Sequence, residues 1–228
     1  MDDLAALLDA GLARLAIDLD ATARARLCDY MALLRKWSAK TNLIAKNASD
    51  TEIVEHFLDS LSLLPLPPGA QLIDVGSGAG FPGLLLAAAR PSLTVQLIEP
   101  RQKRAAFLRQ VARSLHLENV TCHECRLEDI APHSLPCSHI VSRAVADLAG
   151  FLTMCEPWLA EGVQIICMKS RKWQQELAQA QTIIARLGLG QPQLNSYRLP
   201  FSGAERVTLL FTADAGKIYQ SLPILKAN

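Results

Sequence analysis

The segment that most constrains this chain is Leu72-Ile73-Asp74-Val75-Gly76-Ser77-Gly78-Ala79-Gly80-Phe81-Pro82-Gly83, an apolar run ending in a glycine-rich turn. Pro82 suits the first position of a helix, so the segment predicts a strand, a tight turn and a helix in succession. At Gly76, Gly78 and Gly80 a ligand can lie against bare backbone, and the carboxyl end of a strand in an open α/β sheet is where ligands bind. The plainer alternative is a tight connection that holds nothing.

Downstream, short apolar runs alternate with longer helical patterns. Strands are predicted at 71–75, 94–99, 120–124, 139–142, 164–169, 193–199 and 207–212, and helices at 83–90, 102–117, 147–158 and 172–187. This alternation predicts βαβ units, a mostly parallel sheet with helices on both faces, and right-handed crossovers. The last two strands flank Ser202-Gly203 with no helix between them, so an antiparallel hairpin is expected to finish the sheet.

Residues upstream of about 64 read as helices. Leu4, Leu7, Leu8, Leu12 and Leu15, then Leu27, Tyr30, Met31, Leu34 and Trp37, recur every three or four positions, which lays an apolar stripe along one face. Ser49-Asp50-Thr51-Glu52 is a capping-box pattern that opens a third helix. Pro65-Leu66-Pro67-Pro68-Gly69 then breaks helix geometry. The expected division is a helical extension over 1–68 and an α/β domain over 69–228.

Half of the 228 residues are hydrophobic, and 23 Lys and Arg nearly cancel 22 Asp and Glu. That composition excludes a disordered tail or a polybasic arm. By region the balance is 7 basic to 10 acidic over 1–68, 8 to 6 over 69–145 and 8 to 6 over 146–228. The acidic start, Met1-Asp2-Asp3, does not read as a secretory signal. The apolar run Leu84–Ala89 is far short of the roughly 18 residues that span a bilayer. Six cysteines without a secretory signal are expected as reduced thiols, in the cytoplasm.

Gly78-Ala79-Gly80-Phe81-Pro82-Gly83 also matches the dinucleotide fingerprint, so a nicotinamide oxidoreductase is one reading of the loop. Asp74 argues against it, because an acid just before the glycines would repel a pyrophosphate on the helix N-terminus. It suits instead the cationic groups of S-adenosylmethionine. Glu99, ending the second strand, is placed to accept from a ribose diol under either reading. After the third strand, Leu127 could cover an adenine while Glu128 reads its amino edge. Arg143, after the fourth, is expected to point into the cleft, able to bind a carboxylate or a phosphate. After the fifth, Lys169 and Lys172, with Arg171 and Trp173, form a basic and aromatic cluster suited to RNA.

Taken together these motifs resemble the glucose-inhibited division protein B family (RsmG), bacterial 16S ribosomal RNA guanine-N7 methyltransferases. The resemblance runs from about Leu33 to Phe211. It rests on Trp37, Lys40, Asn42 and Leu43, on His56-Phe57-Leu58-Asp59-Ser60-Leu61, on the loop from Asp74 to Gly83, and on Ser142-Arg143-Ala144. It implies a class I methyltransferase fold, a Rossmann-like seven-stranded sheet with one antiparallel strand, behind an N-terminal helical extension. It further implies contacts to S-adenosylmethionine at Gly76, Phe81, Leu127, Glu128 and Arg143, with S-adenosylhomocysteine as product. The partner implied is 16S rRNA or the small ribosomal subunit, with neither DNA nor a membrane. Lys169-Ser170 stands where the family usually has Lys-Gly, and Asn42-Leu43-Ile44 where Asn-Leu-Thr is usual.

Guanine N7 carries a lone pair in the neutral base, so its methylation needs no general base and no catalytic side chain is nominated. A carbon-5 pyrimidine methylase would need a Cys nucleophile, and no cysteine here has a convincing context for one. Cys122-His123-Glu124-Cys125 resembles half of a metal site. No second such pair follows, and a strand extending to Cys125 would send the two thiols to opposite faces. His56 is expected to tie the helical unit to the sheet by a hydrogen bond. A module that binds S-adenosylmethionine without turning it over is the remaining alternative.

Overall fold

The computed structural model describes residues 2–159 and 163–212. Three helices come first, α1 (Asp2–Arg14), α2 (Ala21–Ser38) and α3 (Asp50–Leu61). The capping box forms as the sequence predicts: Glu52 N donates to Ser49 Oγ at 3.2 Å, and Ser49 N donates to Glu52 Oε2 at 2.7 Å. Seven strands follow, β1 (Gln71–Val75), β2 (Thr94–Ile98), β3 (Val120–His123), β4 (His139–Arg143), β5 (Gln164–Lys169), β6 (Gln193–Arg198) and β7 (Glu205–Phe211). Between them lie α4 (Gly83–Ala89), α5 (Gln102–Ser114), α6 (Leu148–Leu159), α7 (Trp173–Gln179) and α8 (Gln181–Arg186). The helix expected over 172–187 is interrupted at Ala180, whose ψ of −4° departs from the helical value near −42°.

The sheet order is β3-β2-β1-β4-β5-β7-β6. β1 pairs in parallel with both β2 and β4, whereas β7 runs antiparallel to β5 and to β6. The chain winds outward in both directions from β1 and β4. At such a switch point the connections leave toward opposite sides and open a crevice at the carboxyl ends of the strands.

Alternation along each strand divides the core. Leu72, Val95, Leu97, Val141, Ile166 and Met168 face one side, where α4, α5 and the three N-terminal helices pack. Ile73, Val75, Ile98, Ile140, Ile165 and Cys167 face the other, against α6 and α8. Burial on both faces is why these strands read as continuous apolar runs. On the first side Tyr30, Phe57 and Phe81 interlock, with ring centroids 5.2 Å apart for Tyr30 and Phe57 and 5.5 Å for Phe57 and Phe81. Contacts of this kind add about 0.5–1.5 kcal/mol per pair beyond the burial of the rings. They seat the helical extension directly against the glycine-rich loop.

Candidate functional site

The loop after β1 is held almost entirely by its own protein. Gly76 N and Ser77 N donate to Ile98 O at 2.8 and 3.2 Å, and Gly80 N donates to Ser77 O at 2.6 Å. The Tyr30 hydroxyl reaches across from α2 to donate to Ala79 O at 2.6 Å. The glycines serve different ends. Gly76, at φ +68°, would place a Cβ 2.5 Å from Val145 Cγ2, and a Cβ on Gly80, at φ +87°, would collide with the Tyr30 hydroxyl. Gly80 is therefore bare to admit Tyr30, not a ligand. Gly78 alone has free space, its nearest neighbours being Gly76 O at 3.6 Å and Arg104 Nη1 at 3.8 Å.

Asp74 corrects the sequence reading. It is fully buried, and its Oδ2 accepts from Gly83 N at 3.0 Å, capping the first turn of α4 beneath the loop. Its Oδ1 has no partner among the described residues. Burial pushes the carboxyl up to about 7, because a low-dielectric site disfavours the charged form. A residue so enclosed does not meet a ligand's cationic group, so its argument against a nicotinamide cofactor fails.

Beside the loop lies a cavity of about 400 Å³ lined by Gly76, Glu99, Leu127 and Glu128, together with Val145 and Met154. Four of the seven cofactor positions expected from the sequence thus converge on one space. Gly78 borders them: its N–H donates to Glu99 Oε2 at 2.9 Å, while Arg101 N donates to Oε1 at 2.9 Å. Glu99 is 2 % exposed and locks the ends of β1 and β2 together. Each of its oxygens retains a second lone pair for a ligand hydroxyl. Leu127 is buried on a short 3-10 turn, Leu127–Asp129, and Glu128 is exposed beside it. Arg101, Arg104 and Arg126 complete the rim. The sequence shows Arg101 and Arg104 only as part of a basic cluster, with nothing to indicate that three arginines meet here.

Phe81 and Arg143 do not line this cavity. Phe81 is 5 % exposed, packed against the helical extension. The Arg143 guanidinium lies 4.8 Å from the centroid of its ring. Arg143 Nη1 donates to Asp59 Oδ2 at 3.0 Å, so the carboxylate it binds belongs to α3 and it is not directed into the cleft. Asp59 Oδ1 also accepts from the Tyr197 hydroxyl at 2.6 Å and lies 3.5 Å from Arg206 Nε. Here α3, β4, β6 and β7 meet through side chains whose spacing in sequence, 138 residues for Asp59 and Tyr197, gives no local signal. His56 joins as expected, its Nδ1 3.4 Å from Arg143 Nη2. Burial, reinforced by the Arg143 charge, pushes its imidazole down to about 4.

Of the two candidate RNA contacts, Lys169 is committed internally. Its Nζ donates to Glu176 Oε2 at 2.8 Å and to Ala146 O at 3.1 Å, and its side chain is 8 % exposed. Lys172 is exposed at the N-terminus of α7. β3 ends at His123, so the alternation argument does not extend to Cys125. Among the described residues no three His, Cys, Asp or Glu converge as metal ligands, and no helix is long and apolar enough to cross a membrane.

Solved structures share this fold at low identity. TYW2 from M. jannaschii in complex with AdoMet matches with a TM-score of 0.55 at 14% identity, over 70% of this chain and 76% of that one. Magnesium protoporphyrin IX methyltransferase from Synechocystis PCC 6803 with bound SAM matches with a TM-score of 0.58 at 14% identity, over 81% and 97%. The architecture is that of the class I methyltransferases. Sequence relatives are far nearer. Ribosomal RNA small subunit methyltransferase G of Desulfotalea psychrophila is 47% identical over 208 residues, covering 89% of this chain and 95% of its own length. The protein of the same name from Chromohalobacter salexigens is 42% identical over 205 residues, covering 89% and 94%. The model of the GidB family, rRNA small subunit methyltransferase G, matches residues 23–200, and with such coverage this chain belongs to that family.

Proposed function

We propose that this protein transfers a methyl group from S-adenosylmethionine to N7 of a guanosine in 16S ribosomal RNA. Family membership over most of the chain is the observation that carries the reading. In this reading residues 1–68 are the helical extension and 69–228 the methyltransferase domain, whose last residues, 213–228, lie outside the described ones.

The cavity beside the loop suits the cofactor. Its volume of about 400 Å³ falls within the usual range for small-molecule sites. Gly76 supplies bare backbone, Gly78 an open face, Glu99 lone pairs for a ribose diol, Leu127 an apolar surface for adenine and Glu128 an acceptor for its amino group. Phe81 and Arg143 act from behind, holding the loop and the end of β4 in place. When bound, S-adenosylmethionine supplies an electrophilic methyl group and leaves as S-adenosylhomocysteine.

The protein's own contribution is placement. Because neutral N7 is already a nucleophile, the chain has to align it with the methyl group and exclude water. Orientation of this kind can remove about 7–11 kcal/mol of barrier. That is why the site needs no general base or nucleophilic side chain. The cysteines agree: burial pushes Cys122 up to about 11 and both Cys137 and Cys167 up to about 12, which leaves them as thiols with little thiolate at neutral pH.

The test is transfer of labelled methyl to 16S rRNA and to small subunits from a strain lacking this modification, followed by chemical cleavage at N7-methylguanine. Label at a single guanosine is expected. Unlabelled rRNA, or label that resists that cleavage, overturns the assignment.

A further inference from the structure

A second cavity, roomier than the one beside the glycine-rich loop, lies elsewhere on the molecule. It is a groove of about 950 Å³ between the end of α1, the β6–β7 hairpin and the start of α7. Arg14, Arg198, Arg206 and Trp173 line it, with Glu205 as its one acidic lining residue. Three arginines to one carboxylate is a local excess on a chain that is nearly neutral as a whole.

Topology places this groove in relation to the cofactor cavity. β6 ends at Arg198 and β7, running the other way, begins at Glu205, so the hairpin turn sits at the edge where the parallel strands end. Trp173 follows β5 at that same edge. The cavity lined by Gly76 and Glu99 occupies the β1-β2-β3 half of this edge, and the groove occupies the β5-β7-β6 half. Between them stands the Asp59–Arg143 pair at the end of β4.

The cations are available at modest cost. Arg14 donates to Pro200 O at 2.7 Å and lies 5.1 Å from the centroid of Phe201, and no carboxylate pairs with it among the described residues. Arg198 pairs with Glu205, but both side chains are about two-thirds exposed. An ion pair that exposed contributes little and is readily exchanged for a phosphate. Trp173 is only half-buried and offers a face on which a base can stack, while the exposed Arg171 and Lys172 precede it.

We propose that this groove holds the strand of RNA flanking the target guanosine, with Arg14 and Arg198 on phosphates and Trp173 against a base. The inference rests on the methyltransferase reading above and adds a surface to it: the first helix of the extension forms one wall of the RNA site, and the basic run after β5 acts through Trp173 and Lys172, Lys169 being tied to Glu176.

The experiment is steady-state methyl transfer to unmodified 16S rRNA or small subunits by the full chain, at several salt concentrations, for Arg14→Glu, Arg198→Gln and Trp173→Ala. Affinity for S-adenosylhomocysteine, measured separately, reports that each variant is folded. Each variant is expected to raise KM for RNA about tenfold while keeping kcat and cofactor affinity. The two arginine variants should also flatten the dependence of KM on salt by about one phosphate each. Unchanged KM and unchanged salt slope, with the native enzyme labelling rRNA, overturn the groove and leave the methyltransferase reading standing. A native enzyme that does not label rRNA overturns both. Altered sedimentation in place of altered KM assigns the groove to a second copy of the chain and overturns its RNA role.

Discussion

Asp59 on α3 and Arg143 at the end of β4 form a partly buried ion pair at 3.0 Å that bolts the helical extension to the carboxyl edge of the parallel strands. The Tyr197 hydroxyl, at 2.6 Å, occupies the other carboxylate oxygen. Removing the acid by Asp59→Ala would leave the guanidinium only the longer contacts to His56 O and Nδ1, both at 3.4 Å, and the Tyr197 hydroxyl only the main-chain carbonyl of residue 59 at 3.3 Å. With Arg143 18 % exposed, the expected cost is about 2–3 kcal/mol, below the range for fully buried pairs. Urea denaturation of Asp59→Ala, Arg143→Met and the double variant would show it. The double variant should lose less than the sum of the two, by about 1–2 kcal/mol. Strict additivity would mean that the two side chains are neighbours without being coupled.

Tyr30 and Gly80 form a second lock. The hydroxyl of Tyr30 fills the space that a Cβ on Gly80 would need and holds Ala79 O. Tyr30→Phe should cost about 1–2 kcal/mol by leaving that carbonyl unpaired, and should loosen the loop enough to weaken cofactor binding several-fold. Gly80→Ala should be far worse. Placed on the Tyr30→Phe background it should recover part of its loss, since the collision with the hydroxyl disappears while the 2.9 Å approach to Leu84 Cβ and the strain of φ +87° remain. Thermal unfolding of the three variants and the parent measures this; a double variant no better than Gly80→Ala alone would refute the clash.

Those two locks show where sequence reading stops. The strand–turn–helix of the glycine loop, the alternation of strands and helices, the capping box at Ser49 and the closing hairpin are local patterns, and the structure contains each of them. Convergence of Gly76, Glu99, Leu127 and Glu128 followed from one topological rule about strand ends. The partners of Asp74, Gly80 and Arg143 escape a reading of the sequence for a common physical reason. Each looks like a ligand contact when only its own segment is considered, yet each has a partner supplied by the protein: Gly83 N, the Tyr30 hydroxyl and Asp59. For Gly80 and Arg143 that partner lies 50 to 84 residues away, beyond the reach of any periodicity.

Glu99 should be sensitive to loss of a single acceptor. Its two oxygens each take a backbone N–H, from Gly78 and from Arg101. In Glu99→Gln the amide nitrogen cannot accept, so one of the two N–H groups is orphaned, and the proposed ribose site loses one acceptor. Titration calorimetry with S-adenosylhomocysteine should show binding weakened about 10- to 100-fold, or roughly 1.4–2.8 kcal/mol. Glu99→Asp, too short to span both N–H groups, should behave similarly. Native affinity in Glu99→Gln would remove this residue from the cofactor site.

The pH dependence of stability contains two opposing contributions that single substitutions can separate. Asp74 has an ordinary value of 3.8 that burial raises to about 7. Between those values the native chain holds a proton that the unfolded chain has released, so this contribution is present in full below pH 4 and is lost as pH rises to 7. His56 has an ordinary value of 6.5 that burial and Arg143 lower to about 4. Between those values the unfolded chain holds the extra proton, so this contribution is present in full above pH 6.5 and is lost as pH falls to 4. From pH 4 to 6.5 the two slopes cancel, and the parent protein should show a nearly flat profile from this pair. Asp74→Asn keeps a carbonyl to accept from Gly83 N and removes the first slope, so its stability should climb with pH across that window. His56→Gln removes the second, and its stability should decline from pH 4 to 7. Each slope is at most about 1.4 kcal/mol per pH unit. Denaturant midpoints at half-unit intervals would resolve them, and parallel profiles for Asp74→Asn and the parent would show that the Asp74 carboxyl is not raised.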